Sequence, residues 1–351
     1  MTIFGCTGCG AELTAPLSRV ALPDSAHQTH GYHVTVPVLM EPGTYAVDPA
    51  PSGPPWRRWH EVSPEEAEAQ GVHAPVHALS FGAPGAVATA PGDLRNTAVI
   101  PDRCGGNCCG LDGSDGPNLA CLRCGRPVAT RIDDCTLWQV VWLEAPAVRR
   151  IHGEPEAPAA GWDEVVSGEG SAPIDPSGGW NPRWEATVGA ALARLLAASD
   201  GTPLAVPDGP LAPVFRRALD TLLPPGPGAR TIALAGPGLP ATRARPDFAL
   251  VPRHPETGEV WQPPGGTIPV PLDAGVWTWL ARAPERVRLP ATGGLPEGVE
   301  RDDPLPLRPW CRFRPAGDVF FRTLARLPEV RRPWLRALYE ERRERPWADP
   351  F

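Results

Sequence analysis

The chain has 351 residues, a net charge of −7 and 42% hydrophobic residues including 13 Trp, enough for about two domains with a sizeable core. Its 37 Gly and 48 Pro fall just short of the level that marks a low-complexity chain, so short elements joined by ordered loops are expected. All 33 basic residues are Arg, which excludes the Lys-dependent P-loop, protein-kinase, penicillin-binding and pyridoxal chemistries unless the Lys has an unusual replacement.

The sequence contains no H-E-x-x-H, no G-x-S-x-G and no complete G-x-G-x-x-G; Gly226-Pro227-Gly228 and Gly236-Pro237-Gly238 are fragments that loops explain. The first residues have neither a basic n-region nor an apolar h-region, and no run approaches the ~20 apolar residues of a membrane span. A cytoplasmic, non-membrane protein is therefore expected, in which thiols stay reduced and Cys pairs point to metal or catalysis. Charge is uneven: residues 301–351 carry 12 Arg against 8 acids, and residues 1–300 carry 21 Arg against 32.

In chain order, residues 1–14 read as strand, Cys-x-x-Cys turn and strand, with Thr2–Phe4 and Ala11–Thr14 flanking Cys6–Gly10. Short apolar runs follow at Val34–Leu39, Thr44–Val47, Val76–Phe81, Val87–Thr89 and Thr97–Ile100, a spacing that predicts a β-rich unit. Ser63-Pro64-Glu65-Glu66 opens a brief helix, with a Ser cap, Pro in the first position and acids in the first turn. Leu137–Leu143 is a further strand, and the Gly-, Pro-, Ser- and acid-rich residues 151–180 read as a linker or long surface loop.

From Asn181-Pro182 the pattern changes, because Trp184, Val188, Leu192, Leu195 and Leu196 recur at helical spacing. Pro203–Val206, Leu211–Leu223 and Arg230–Ala235 read as strand, helix and strand. Phe248–Val251 is another strand, and the prolines of Thr267–Leu272 confine it to a sheet edge. Helices near 316–327 and 332–345 follow. The fold class expected is mixed, α+β: a β-rich domain over 1–150, the linker over 151–180 and a smaller α/β domain over 181–351.

The nine Cys carry the strongest chemical signal. Cys6-x-x-Cys9-Gly10 and Cys121-x-x-Cys124-Gly125 share one pattern, each followed three places after the Gly by an apolar residue, Leu13 or Val128. Two thiolates three apart on a tight turn can both reach one Zn2+ at ~2.3 Å, and the Gly lets the backbone turn beneath them. Paired turns of this kind resemble the zinc ribbon, a family in which two such knuckles close one structural zinc site. The resemblance covers about 30 residues and implies Cys6, Cys9, Cys121 and Cys124 as ligands. It departs from the family in the 111 residues between Cys9 and Cys121, which would make most of the N-terminal domain an insertion.

A second partition of the thiols also fits: Cys104, Cys108, Cys121 and Cys124 form a compact four-Cys pattern, leaving Cys6 and Cys9 to seek ligands among His27, His30 and His33. Under the first partition Cys104, Cys108, Cys109 and Cys135 remain, as a second metal site or as buried thiols. A vicinal pair in a regular strand cannot easily aim both sulfurs at one metal, so Cys108 and Cys109 are expected to give one ligand between them. Cys311 reads as a core residue. Asp112 to Asn118 reads as a turn before it reads as an oxygen-ligand loop, and Asp133-Asp134 as partners of Arg131 or of a local turn.

Four thiolates leave zinc no open position, so the metal is expected to be structural rather than catalytic. At the C-terminal end, Trp310, Phe313, Phe320, Phe321, Trp334, Tyr339, Trp347 and Phe351 alternate with Arg. Core packing of helical faces accounts for them first, a protein interface or self-association second and nucleic acid last. The functional expectation is a zinc-stabilised binding or scaffold protein; the alternative is an enzyme with its site in a cleft between the domains.

Overall fold

Before residue 150, Pro and Gly interrupt the chain so often that its apolar runs are too short for amphipathic helices, and they pair as strands. The structure, a computed structural model, describes residues 1–30, 36–106, 108–153, 158–175, 179–223, 225–240, 244–286, 312–344 and 351. It is mixed α+β and divides into two compact units. The first comprises residues 1–160, 255–258 and 325–332, and the second 161–254, 259–324 and 333–351. Cys311, Trp310, Trp347, His33 and the start of the Val34–Leu39 run lie outside the described residues.

The first unit is built from β1 (Thr2–Cys6), β2 (Ser18–Arg19), β3 (Thr44–Val47), β4 (Trp56–Arg58), α1 (Pro64–Ala69), β5 (Ala78–Ser80), β6 (Val87–Thr89), β7 (Thr97–Val99), β8 (Leu119–Cys121), β9 (Pro127–Ile132), β10 (Val140–Leu143) and β11 (Val148–Gly153). One seven-stranded sheet runs β2-β3-β6-β10-β9-β8-β7; β1 pairs with β11, and β4 with β5. Both faces of the large sheet are covered. On β10, Val141 and Leu143 pack with Phe4, Leu13, Leu17, Tyr45 and Val128, while Val140 packs on the other side with Leu39, Met40 and Trp138. The two-residue period of a strand makes that division, and it repeats on β3 (Tyr45 against Ala46) and β6 (Val87 against Ala88). At ~1.5–3 kcal/mol per fully buried large apolar side chain, these two clusters are the main stabilising term of the unit.

The Ser63 cap forms as the sequence dictates: its hydroxyl accepts from the Glu66 N–H at 3.2 Å, and the Glu66 carboxylate accepts from the Ser63 N–H at 2.9 Å. Strands β9 and β11 escape a reading by apolar runs because Arg131, Arg149 and Arg150 interrupt them. β11 is nevertheless aligned along β1 from Thr2↔Gly153 to Cys6↔Val148.

The second unit contains α2 (Trp162–Val165), α3 (Pro182–Ser199), β12 (Leu204–Ala205), α4 (Arg217–Leu222), β13 (Arg230–Leu234), β14 (Phe248–Arg253), β15 (Ile268–Asp273), α5 (Ala274–Arg286), α6 (Gly317–Ala325) and α7 (Pro333–Arg343). Its sheet is parallel, in the order β12-β13-β14-β15, and the proline-bearing β15 takes the edge. The helix expected over 211–223 forms over 212–222, its first part a π-helical turn, Ala212–Arg216, that runs directly into α4; Pro213 sits in the first turn, where its missing N–H has no intrahelical partner to lose.

Part of the stretch expected to be linker is tied into this unit. Arg282 donates to the carbonyls of Val166, Ser167 and Gly168 at 2.7, 2.9 and 2.6 Å, and the Trp184 indole donates to Ser171 O at 2.9 Å. The buried Trp277 indole donates to Ala235 O at 3.0 Å and Leu250 O at 3.2 Å, fastening α5 to the strand ends. Gly236 lies against that ring; a Cβ there would stand 2.2 Å from it, so the Gly-Pro-Gly fragment is a packing feature. Near the C-terminus Phe320, Leu324, Leu335 and Tyr339 are fully buried, and Phe320 meets Phe351 edge to face at 5.2 Å. These aromatic residues are core.

Candidate metal centre

Each Cys pair sits where a strand ends and turns back. β1 delivers Cys6 and β8 delivers Cys121, and both residues are buried in the same apolar cluster as Phe4 and Leu119. The two turns close alike. Gly10 N–H donates to Cys6 O at 2.9 Å and Gly125 N–H to Cys121 O at 2.8 Å; Cys6 N–H donates to Ala11 O and Cys121 N–H to Arg126 O, both at 2.9 Å. Gly10 has φ 74° and Gly125 φ 72°, left-handed values that a Cβ would disfavour. Three places beyond each Gly, Leu13 and Val128 are fully buried beneath the turn. Matching motifs therefore give matching backbones, each anchored from below by its apolar residue.

Thr7 donates through its N–H to Ala147 O at 3.0 Å, and Leu122 N–H donates to Asn96 O at 2.9 Å, so each turn is also held from outside itself. Ala147 and Asn96 were invisible to a motif reading, because what brings them there is pairing between distant segments.

The result is a cluster of four sulfurs. Cys6 Sγ and Cys124 Sγ are 3.6 Å apart, as are Cys9 Sγ and Cys121 Sγ, and all four lie within 4.8 Å of one another. A disulfide needs ~2.05 Å, so these are separate thiols. A tetrahedron with metal–sulfur bonds of ~2.3 Å has edges of about 3.8 Å, close to both spacings.

Protonation shows the same crowding. Burial works to raise the Cys121 pKa, but the N–H groups of Arg123 and Cys124 and the Cys9 and Cys124 thiols outweigh it and bring it down to about 7. The Arg126 N–H works to lower the Cys124 pKa, but burial and the sulfurs of Cys6, Cys9 and Cys121 outweigh it and push it up to about 11. One sulfur ionises readily and its neighbour keeps the proton, because several thiolates this close need a cation among them. The four thiols can hold a metal ion.

Cys104 and Cys108 do not join Cys121 and Cys124 among the described residues; Cys6 and Cys9 do. Cys104 Sγ lies 3.4 Å from Ile100 O. Of the His candidates for Cys6 and Cys9, His27 is engaged elsewhere: its Nε2 lies 2.7 Å from the buried Asp48 carboxylate, and its ring stacks on Trp142 at 5.3 Å.

A second group forms from Cys108, Cys109 and Cys135. Both members of the vicinal pair reach it, against the expectation of one, because residues 108–110 form a bend rather than a regular strand. The Cys109 and Cys135 sulfurs push the Cys108 pKa up to about 12. Asp112 and Asp115 cap the backbone N–H groups of Ser114 and Gly105, and Asp133 pairs with Arg131 at 2.6 Å, so these acids serve local turns.

No protein-family model matches the chain, and neither a curated protein nor a solved structure matches it. The functional reading therefore rests on the cysteine geometry itself. Among the described residues no helix is long and apolar enough to cross a membrane.

Proposed function

We propose that this protein is a zinc-stabilised binding or scaffold protein whose N-terminal fold is clamped by a ribbon-like structural zinc on Cys6, Cys9, Cys121 and Cys124. The observation that carries this reading is the pair of equivalent turns whose four sulfurs lie within 4.8 Å of one another, with two of the spacings, 3.6 Å each, close to a tetrahedral edge. Sulfur donors in fours favour zinc among the common biological cations, and four protein thiolates fill its coordination shell, so the metal acts on folding rather than on a substrate. The clamp joins β1, at the start of the chain, to the β8–β9 turn. Thiolate ligands of this kind call for a reducing compartment, in keeping with a cytoplasmic protein.

A protein partner or self-association fits better than nucleic acid. Net charge is −7, and arginines of the C-terminal region are engaged within the chain: Arg331 pairs with Glu68 at 2.9 Å, and Arg336 with Glu340. The test is sedimentation of the metal-loaded and chelated protein beside metal analysis. The reading expects bound zinc and a discrete, compact species that becomes expanded or aggregated on chelation. A compact species indifferent to chelation, with no zinc bound, would refute it.

A further inference from the structure

Cys108, Cys109 and Cys135 lie apart from the four-thiol cluster in residue membership, in exposure and in support. Cys108 and Cys109 are exposed and Cys135 is half-buried. Cys109 Sγ stands 3.3 Å from Cys108 Sγ and 3.5 Å from Cys135 Sγ, and the three sulfurs lie within 4.8 Å of one another.

One carboxylate organises all three. The buried Asp134 accepts from the N–H groups of Cys109 and Cys135 through Oδ1, each at 2.7 Å, and from that of Cys108 through Oδ2 at 3.2 Å. Through these bonds Asp134 shapes the backbone around the three sulfurs. The approach of the two loops is close: a Cβ on Gly110 would stand 2.0 Å from Asp133 O. Next to Cys135, Thr136 holds φ 74°, a costly conformation for a β-branched residue, fixed by bonding of its carbonyl to the His30 N–H at 2.7 Å. Conformations of this cost cluster where a site is pre-organised.

We propose that Cys108, Cys109 and Cys135 form a second, open metal site that takes a thiophilic d10 cation, zinc or cuprous, on three sulfurs with its remaining face toward solvent. Soft thiolate donors select such ions over magnesium or calcium. Binding is simple substitution: each thiol that ligates releases its proton to solvent, and no electron is transferred. A four-thiolate centre with a full coordination shell and two ligands buried in a core holds its metal; three sulfurs on an exposed loop leave a position for an incoming thiol or chelator. The site is therefore exchangeable. It stands independently of the zinc clamp, since the two share no residue.

The test uses the full chain, loaded anaerobically with zinc alone or with cuprous ion alone, and follows release to a chromogenic chelator. The proposal expects, in at least one of the two loadings, a rapidly released equivalent that Cys109→Ser and Cys135→Ser each abolish without lowering the melting temperature. Cys124→Ser should leave that rapid equivalent in place, which separates this proposal from the clamp. If the clamp failed and this site held, the wild type would show the rapid equivalent by itself. Rapid release unchanged by Cys109→Ser and Cys135→Ser, or no such release under either ion, overturns the proposal. So does a mass two hydrogens light, showing a disulfide within the trio, in protein kept under reductant.

Discussion

Replacing Cys124 with Ser isolates the contribution of the metal clamp. Cys6 and Cys121 are buried, so serine there would confound ligand loss with a buried hydroxyl; Cys124 is exposed and makes the swap almost free of packing effects. The clamp joins points 112 residues apart in sequence, Cys9 and Cys121. In the chain-entropy treatment of cross-links, closing a loop of about 100 residues restricts the unfolded chain by about 4.7 kcal/mol, and a metal clip acts on the same entropy. For a unit of about 170 residues, at ~2–4 °C per kcal/mol, this corresponds to a fall of roughly 10–20 °C in melting temperature when the clip is lost. Thermal unfolding with and without a strong chelator measures it. Chelated wild type should fall by that amount, and Cys124→Ser should start low and respond far less to chelator. Leu122→Ser, an exposed change in the same turn, should behave as wild type. Cys124→Ser melting with the wild type, and a wild type indifferent to chelator, would refute the reasoning.

Burial holds the Glu144 carboxyl above its ordinary range, against the opposing hydrogen bond from Thr130 at 3.0 Å. A raised native value means that the folded state binds the extra proton, so wild-type stability falls as pH rises from about 4.5 through that value. Glu144→Gln should therefore raise the melting temperature at pH 7 and lose that advantage on acidification; a constant difference across a pH series would contradict this. Gel-shift titration at physiological salt should show no nucleic-acid binding tighter than the roughly 10⁻⁴–10⁻⁶ M of nonspecific contacts, and submicromolar, salt-sensitive binding would reverse the choice of partner. Deleting residues 331–351 removes the buried Leu335, Tyr339 and Phe351 and should impair folding or cause aggregation, seen by size-exclusion chromatography. A monodisperse, folded truncation would show that this end is dispensable.

The sequence reading succeeds where a signal is local. Thr44–Val47 and Val87–Thr89 form strands with the bounds their β-branched runs gave, and Ser63 and Asn181 cap helices where expected. It fails where pairing is set by distant partners. β11 carries Arg149, Arg150 and His152, and becomes a strand because β1 offers it an edge. α5 gives no clear helical signal in the sequence because Gly275, Arg282, Pro284 and Arg286 interrupt a face that buries Val276, Trp277 and Leu280. At the cysteines, spacing identified both turns, since each turn is local. It left two partitions open, because gathering Cys6 and Cys9 with Cys121 and Cys124 depends on how β1 and β8 meet in one core. Likewise, nothing in the spacing showed that a bend would turn both Cys108 and Cys109 toward Cys135.

X-ray absorption at the zinc edge tests the central claim most directly, measured on freshly purified Cys109→Ser/Cys135→Ser protein so that the clamp alone is seen. The account predicts one zinc per chain surrounded by four sulfurs at ~2.3 Å. Zinc bound mainly through nitrogen or oxygen, or protein purified without chelators that contains no metal, would contradict it.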